Sequence, residues 1–155
     1  YRKPFLEISK SNLQDVLNTN LISPAFLTQI VLHHMVKQRY GNIINISSIL
    51  GTTALTNLSA YQISKFGLNG LTKSIAAEFC ENNINCNGIA PGFCKTSYFE
   101  NFKNNEILYE NVTNRIPMKR WGEQDEIDGM CLFLSTEQAN YINGAILPID
   151  GGWTS

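Results

Sequence analysis

The strongest constraint on how this chain folds is a regular alternation. Long amphipathic stretches are separated by short runs rich in isoleucine and other apolar residues, with no charged residue among them. "NIINIS", residues 42–47, lies between Gly41 and a serine. "INCNGIAPG", 84–92, runs into a Pro-Gly turn, and a last short run, 145–149, stops at glycines. Runs this apolar need cover on both sides, which a parallel sheet with helical crossovers provides, so they read as buried strands. Between them the period is helical. Residues 25–39 carry Phe26, Leu27, Ile30, Val31 and Met35, and Gly41 is expected to end that helix. A second long helix spans 59–81 with Ser59 as its cap, and a third spans 123–135. A short helix capped by Ser9 or Ser11 bears Leu13, Val16 and Leu17, and Pro24 marks a break or a first helical turn. Residues 95–116 are rich in asparagine and weakly periodic, so they read as a mobile excursion with some helix. The pattern predicts an α/β fold with a parallel sheet, in one domain covering 1–155.

Composition removes several functions. A net charge of -1 gives no electrostatic reason to expect nucleic acid or an anionic membrane as partner. No apolar stretch approaches the ~20 residues of a membrane span. The N-terminus "YRKPFLEIS" has no long apolar core of a signal peptide. Cys80, Cys86, Cys94 and Cys131 form no CxxC pair, and the adjacent His33 and His34 point different ways on a helix. No metal site is expected, and the thiols read as reduced, partly buried groups of a cytoplasmic protein.

One constellation carries chemistry. Ser48 closes the first apolar run, Tyr61 follows thirteen residues later, and Lys65 four after that. Residues i and i+4 share a helix face, so Tyr61 and Lys65 project together. An ammonium beside a phenol favours the phenolate and brings a group with an ordinary pKa of about 10 toward useful proton transfer. Ligands of open α/β sheets bind beyond the carboxyl ends of the strands, where Ser48 lies. Taken alone, the spacing is common in helices and turns. It gains weight from its surroundings.

Those surroundings occur in order: "GNIINISSILG", "AYQISKFGLNGLTKSIAAEF", "INCNGIAPGFCKT", "RWGE" and "GAILPIDGG". The ordered set resembles the short-chain dehydrogenase/reductase superfamily from "PFLEIS" to "DGGWTS". The resemblance implies a Rossmann-like, doubly wound parallel sheet and hydride transfer between NAD or NADP and a carbonyl or alcohol carbon. It assigns Tyr61 as general acid-base, Lys65 to the tyrosine and the nicotinamide ribose, and Ser48 to the substrate oxygen. Asn20 matches an asparagine that supports a water-mediated proton relay. Asn87 opens the Asn-xxx-Pro-Gly pattern; Pro91, Gly92 and Thr96 would border the nicotinamide, with glycine permitting close backbone approach. The loop 97–116 matches the variable substrate loop. Arg115 and Lys119 can meet a carboxylate but read first as solvated surface. The look is nearest to gluconate 5-dehydrogenases and other sugar-acid or polyol dehydrogenases, then to 3-oxoacyl-carrier-protein reductases. Helices 25–39 and 60–81 match those that build homodimers and homotetramers. A chain that keeps that interface without catalysis, a truncated association module, is the alternative reading.

The glycine-rich strand-turn-helix that holds a dinucleotide pyrophosphate is not found before Asn20, nor is a residue selecting NAD or NADP. At ~30 residues per βαβ unit, roughly 80–100 residues of the family pattern are missing upstream. A fragment of a longer enzyme, the ordered part of a partly disordered chain, and a decayed gene product all match this. The first is the expectation, and with it a chain that exposes apolar surface and self-associates.

Overall fold

The computed structural model describes residues 2–96 and 99–155, and for Asn101 and Lys103 the backbone alone. Ser97 and Tyr98, in the expected substrate loop, lie outside the described residues. Three strands, β1 (Gly41–Ile46), β2 (Ile84–Pro91) and β3 (Ile146–Ile149), form a parallel sheet in the order β1-β2-β3. Gly41 pairs with Ile84 and the register runs to Ile46 opposite Ile89; Gly88 pairs with Ile146 and runs to Pro91 opposite Ile149. The helices are α1 (Lys10–Leu17), α2 (Ser23–Gln38), α3 (Ser59–Phe79), α4 (Glu100–Lys103), α5 (Glu106–Arg115) and α6 (Asp125–Leu134).

Strand alternation assigns the faces. Gly41, Ile43 and Asn45 share a side with Ile84, Cys86 and Gly88. There α2 sits so close that a Cβ on Gly41 would lie 2.5 Å from Met35 Sδ. On the same side Asn45 Nδ2 donates to Thr72 Oγ1 of α3 at 2.9 Å. The opposite face centres on Ile89, Leu134 and Ala139, with Ile44, Ile127, Met130 and Leu147 packed around them. Helices therefore cover both faces, as expected for a doubly wound sheet.

The ends of the elements differ from the sequence reading in instructive ways. Gly41 does not end α2. Arg39 takes the left-handed turn (φ 54°), and Gly41 opens β1, where Met35 leaves no room for a side chain. Ser59 is not a cap either: Leu58 holds that position with no side-chain hydrogen bond, and Ser59 is already helical. Ser9 does cap α1, accepting from the Asn12 N–H at 3.1 Å. Pro24 causes no break. A π-helical turn, Asn18–Ile22, joins α1 to α2, and Pro24 falls in the first turn of α2. The Asn-rich stretch holds two helices, α4 and α5, the second capped by Asn105, whose side chain accepts from the Leu108 N–H.

Among the described residues, β1 has one neighbouring strand and its other edge is unpaired. Phe26, Leu27 and Ile30 of α2 are about 60% exposed, and Ile63 and Phe66 of α3 nearly half.

Candidate active site

The chain leaves β1 through two serines with different tasks. The Ser47 N–H continues the ladder to the Ile89 carbonyl at 2.7 Å. Its hydroxyl donates to Asn69 Oδ1 of α3 at 2.5 Å, and Asn69 Nδ2 donates to the Gly51 carbonyl at 2.9 Å. Gly51 is glycine for space: a Cβ would meet Asn69 Nδ2 at 2.6 Å. Ser48 is extended, and its Oγ accepts from the Leu50 N–H at 3.1 Å, capping a short 3-10 turn, Ile49–Gly51. That bond uses an oxygen lone pair, so it leaves the hydroxyl hydrogen to be donated elsewhere.

The Ser47–Asn69–Gly51 lock holds this turn against α3 and so fixes Ser48 relative to Tyr61 and Lys65. Lys65 Nζ lies 5.6 Å from the Tyr61 ring centroid and donates to the Ile46 carbonyl at 2.8 Å. Burial pushes the Lys65 pKa below its usual value, because a desolvated ammonium is penalised.

Opposite stands the end of β2. Gly92 donates to the Ile149 carbonyl at 2.9 Å. A Cβ there would lie 2.7 Å from Cα and Cβ of Asp150, so in this fold it is the neighbouring strand end that requires the glycine. Asn87, the first residue of the Asn-xxx-Pro-Gly pattern, is buried and away from the opening. Its amide donates to the Ile142 carbonyl at 2.7 Å and accepts from the Ala145 N–H at 3.0 Å, tying β2 to the approach of β3.

A cleft of about 530 Å³ opens between these ends. It brings together Ser48, Tyr61, Lys65, Pro91, Gly92 and Thr96, six of the seven residues to which the resemblance gives a catalytic or cofactor-binding role. Asn20 does not line it and reaches the site through Ser64. Arg115 and Lys119 are elsewhere too. Arg115 stacks 4.7 Å over Trp153, and Lys119 Nζ donates to the Asn114 carbonyl at 2.6 Å. A smaller cavity of about 90 Å³ adjoins Phe93 and Cys94, where Arg120 and Glu126 are bound to each other at 2.7 Å. Among the described residues no cluster of His, Cys, Asp or Glu is arranged to hold a metal ion, and no helix is long and apolar enough to cross a membrane.

The structure adds two cleft residues that periodicity did not mark. Arg2 reaches the opening because the Lys3 N–H pairs with the Asn57 carbonyl at 2.9 Å. Trp121 forms a buried wall, its ring edge-on to Phe93 and stacked parallel with Tyr109, its indole N–H donating to Thr113 Oγ1 at 3.0 Å. Nothing in the letters of the RWGE motif marks Trp121 for this wall.

A serine, a tyrosine and a lysine thus meet in one cleft beyond the carboxyl ends of parallel strands. The family model described as Enoyl-(Acyl carrier protein) reductase matches residues 1–154. The chain belongs to the short-chain dehydrogenase/reductase family. It is 41% identical over 155 residues to 2-dehydro-3-deoxy-D-gluconate 5-dehydrogenase of Bacillus subtilis (strain 168), covering all of this chain and 61% of that one. It is 37% identical over 150 residues to the 3-oxoacyl-[acyl-carrier-protein] reductase FabG of Aquifex aeolicus (strain VF5), covering 97% of this chain and 60% of that one. The crystal structure of a gluconate 5-dehydrogenase from Burkholderia cenocepacia J2315 in complex with NADP and tartrate superposes with a TM-score of 0.95 at 30% identity, over 99% of this chain and 60% of the other. This short-chain dehydrogenase/reductase chain thus spans about three fifths of the length of the relatives it matches.

The residues present fit one end of a nicotinamide dinucleotide. The cleft holds a partly buried ammonium, a phenol and a seryl hydroxyl, groups able to bind a ribose and a reacting oxygen, and Pro91, Gly92, Phe93, Cys94 and Thr96 line it as well. Among the described residues, no glycine-rich turn leads from a strand into a helix at this cleft to receive a pyrophosphate.

Proposed function

We propose that this chain is the catalytic, C-terminal part of a Rossmann domain in an NAD(P)-dependent oxidoreductase that interconverts a secondary alcohol and a carbonyl on a sugar acid or polyol. The observation that carries the reading is the convergence of Ser48, Tyr61 and Lys65 on one cleft at the carboxyl ends of β1 and β2. The bound nicotinamide would accept or supply the hydride. The chain's own residues manage the oxygen. Ser48 donates its hydroxyl hydrogen to the substrate oxygen and holds it beside the Tyr61 phenol. Tyr61 takes the proton of the alcohol, or returns it to the carbonyl oxygen. Lys65, held by the Ile46 carbonyl, sets a positive charge near the phenol and favours its ionised form. Asn20 keeps the water-linked route by which that proton leaves the site. Thr96 and the backbone of Pro91 and Gly92 border the nicotinamide.

Arg2 favours an acid substrate. Apart from Lys65 it is the only cationic side chain lining the cleft among the described residues, and a guanidinium suits a carboxylate. The test compares sugar acids with 3-oxoacyl thioesters, for the protein and for Arg2→Ala. A rise in KM of roughly 10-fold or more for the acids alone supports the reading, in line with loss of a charge-assisted pair. Turnover of thioesters with no activity on sugar acids would make the chain a 3-oxoacyl-carrier-protein reductase instead.

The exposed apolar residues of α2 and α3 support homodimers or homotetramers built through these helices, and the four free thiols suit a cytoplasmic setting. Light scattering tests the association: a clean monomer would remove it. Saturable self-association with no cofactor affinity would favour the non-catalytic module.

A further inference from the structure

Ser64 connects Asn20 to the catalytic helix. It is fully buried in α3, between Tyr61 and Lys65 in sequence. Its Oγ donates to the Tyr61 carbonyl at 2.6 Å, and Asn20 Nδ2 donates to that same Oγ at 3.1 Å. The directions are fixed by chemistry. A carbonyl only accepts, so the single hydroxyl hydrogen goes to Tyr61, and Asn20 must present its NH₂ rather than its oxygen. Ser64 therefore determines which way round the Asn20 amide sits.

The π turn Asn18–Ile22 makes this consequential. Pro24 has no N–H, so the main-chain carbonyl of Asn20, four residues earlier, receives no α-helical hydrogen bond from it. The turn is held at one end by Ser23, whose N–H and hydroxyl both donate to the Asn18 carbonyl, the hydroxyl at 2.7 Å. The turn also presses on α3: a Cβ on Gly67 would lie 2.6 Å from Leu21 Cδ2. The Asn20 amide is the polar tie between this turn and α3.

We propose that Ser64 is a positioning residue, whose hydroxyl orients Asn20 and pins the π turn to the Tyr61–Lys65 segment. Its catalytic consequence rests on the role given to Asn20 under the proposed function; the mechanical tie does not. Removing the hydroxyl leaves the Asn20 NH₂ without its acceptor and loosens the turn, while Tyr61 and Lys65 keep their helical places.

The test is a double-mutant cycle of Ser64→Ala and Asn20→Ala with two readouts. Hydrogen exchange of the amides of residues 18–23 reports the tie without activity. The pH profile of kcat reports the proton route. Each single variant is expected to speed exchange in 18–23 and to lower kcat by ~10-fold with an altered pH profile, and the double variant to be no worse than either, the sign of a shared interaction. Ser64→Thr, which keeps the hydroxyl, should restore protection. Unchanged exchange in Ser64→Ala, or additive losses in the double variant, would overturn the proposal. Faster exchange with an unaltered pH profile would confine Ser64 to structure and overturn its positioning role. If Tyr61→Phe kept full activity, the proposed function would fall while the exchange result still decided the tie.

Discussion

The two faces of the sheet are built by different means. On the α3 face, polar side chains bind other polar side chains: Asn45 to Thr72, Ser47 to Asn69, Asn20 to Ser64. On the α6 face, the buried centre is Ile89, Leu134 and Ala139, and the amides of Asn42, Asn85 and Asn87 bind main-chain carbonyls around it. An apolar contact tolerates small shifts, whereas a hydrogen bond between two side chains fixes both rotamers. The α3 face, which carries Tyr61 and Lys65 and holds the turn that bears Ser48, is thus the geometrically specified one, and the α6 face chiefly supplies burial energy.

Substitutions separate the two faces. The largest effect on chemistry is expected from Lys65→Met, which removes the charge beside Tyr61 and should cut kcat by ~10²- to 10⁴-fold, measured at saturating cofactor and substrate. On the α6 face, Leu134→Ala should cost about 3 kcal/mol in urea unfolding and leave the kcat of the folded fraction near that of the parent. Asn69→Ala should cost less, about 1–3 kcal/mol, since it strands the Ser47 hydroxyl and the Gly51 carbonyl, yet it should lower kcat by displacing the Ser48 turn. A Leu134→Ala variant with a larger kcat loss than Asn69→Ala would break the distinction. The smallest effect belongs to the exposed Arg120–Glu126 pair. The guanidinium holds the Glu126 carboxyl down at about 2. Its folded pKa lies below the ordinary 4.5, so the unfolded chain binds more protons in that window. The pair's contribution is complete above pH 4.5 and is lost as pH falls toward 2. Acid titration in high salt, compared with Arg120→Gln, should show a small difference that salt reduces further.

The sheet and its flanking helices were legible because buried parallel strands and amphipathic helices leave periods of their own. That Tyr61 and Lys65 share a helix face was legible for the same reason, but their roles were suggested only by the ordered motifs around them. The π turn was not: five residues of wider winding disturb the helical period too briefly to register, and Pro24 fitted a break as well as the first helical turn it occupies. Gly41 and Gly92 looked like turn residues, but both are glycine because another element crosses too close, Met35 in one case and Asp150 in the other. Arg2 and Trp121 enter the cleft through contacts far apart in sequence, which no local pattern encodes. Ser47 and Ser48 are identical letters side by side and both border the cleft; only the fold binds the Ser47 hydroxyl to Asn69 and gives Ser48 the cap of the following turn.

The central claim is that Tyr61 moves the proton while the cofactor moves the hydride. Its most direct test is Tyr61→Phe, assayed for turnover and titrated with NADH and NADPH by nicotinamide fluorescence. The account predicts turnover lost and cofactor binding kept, because the phenyl ring still fills the wall beside Lys65 and only the transferable proton is gone. Full activity in the Phe variant would contradict it.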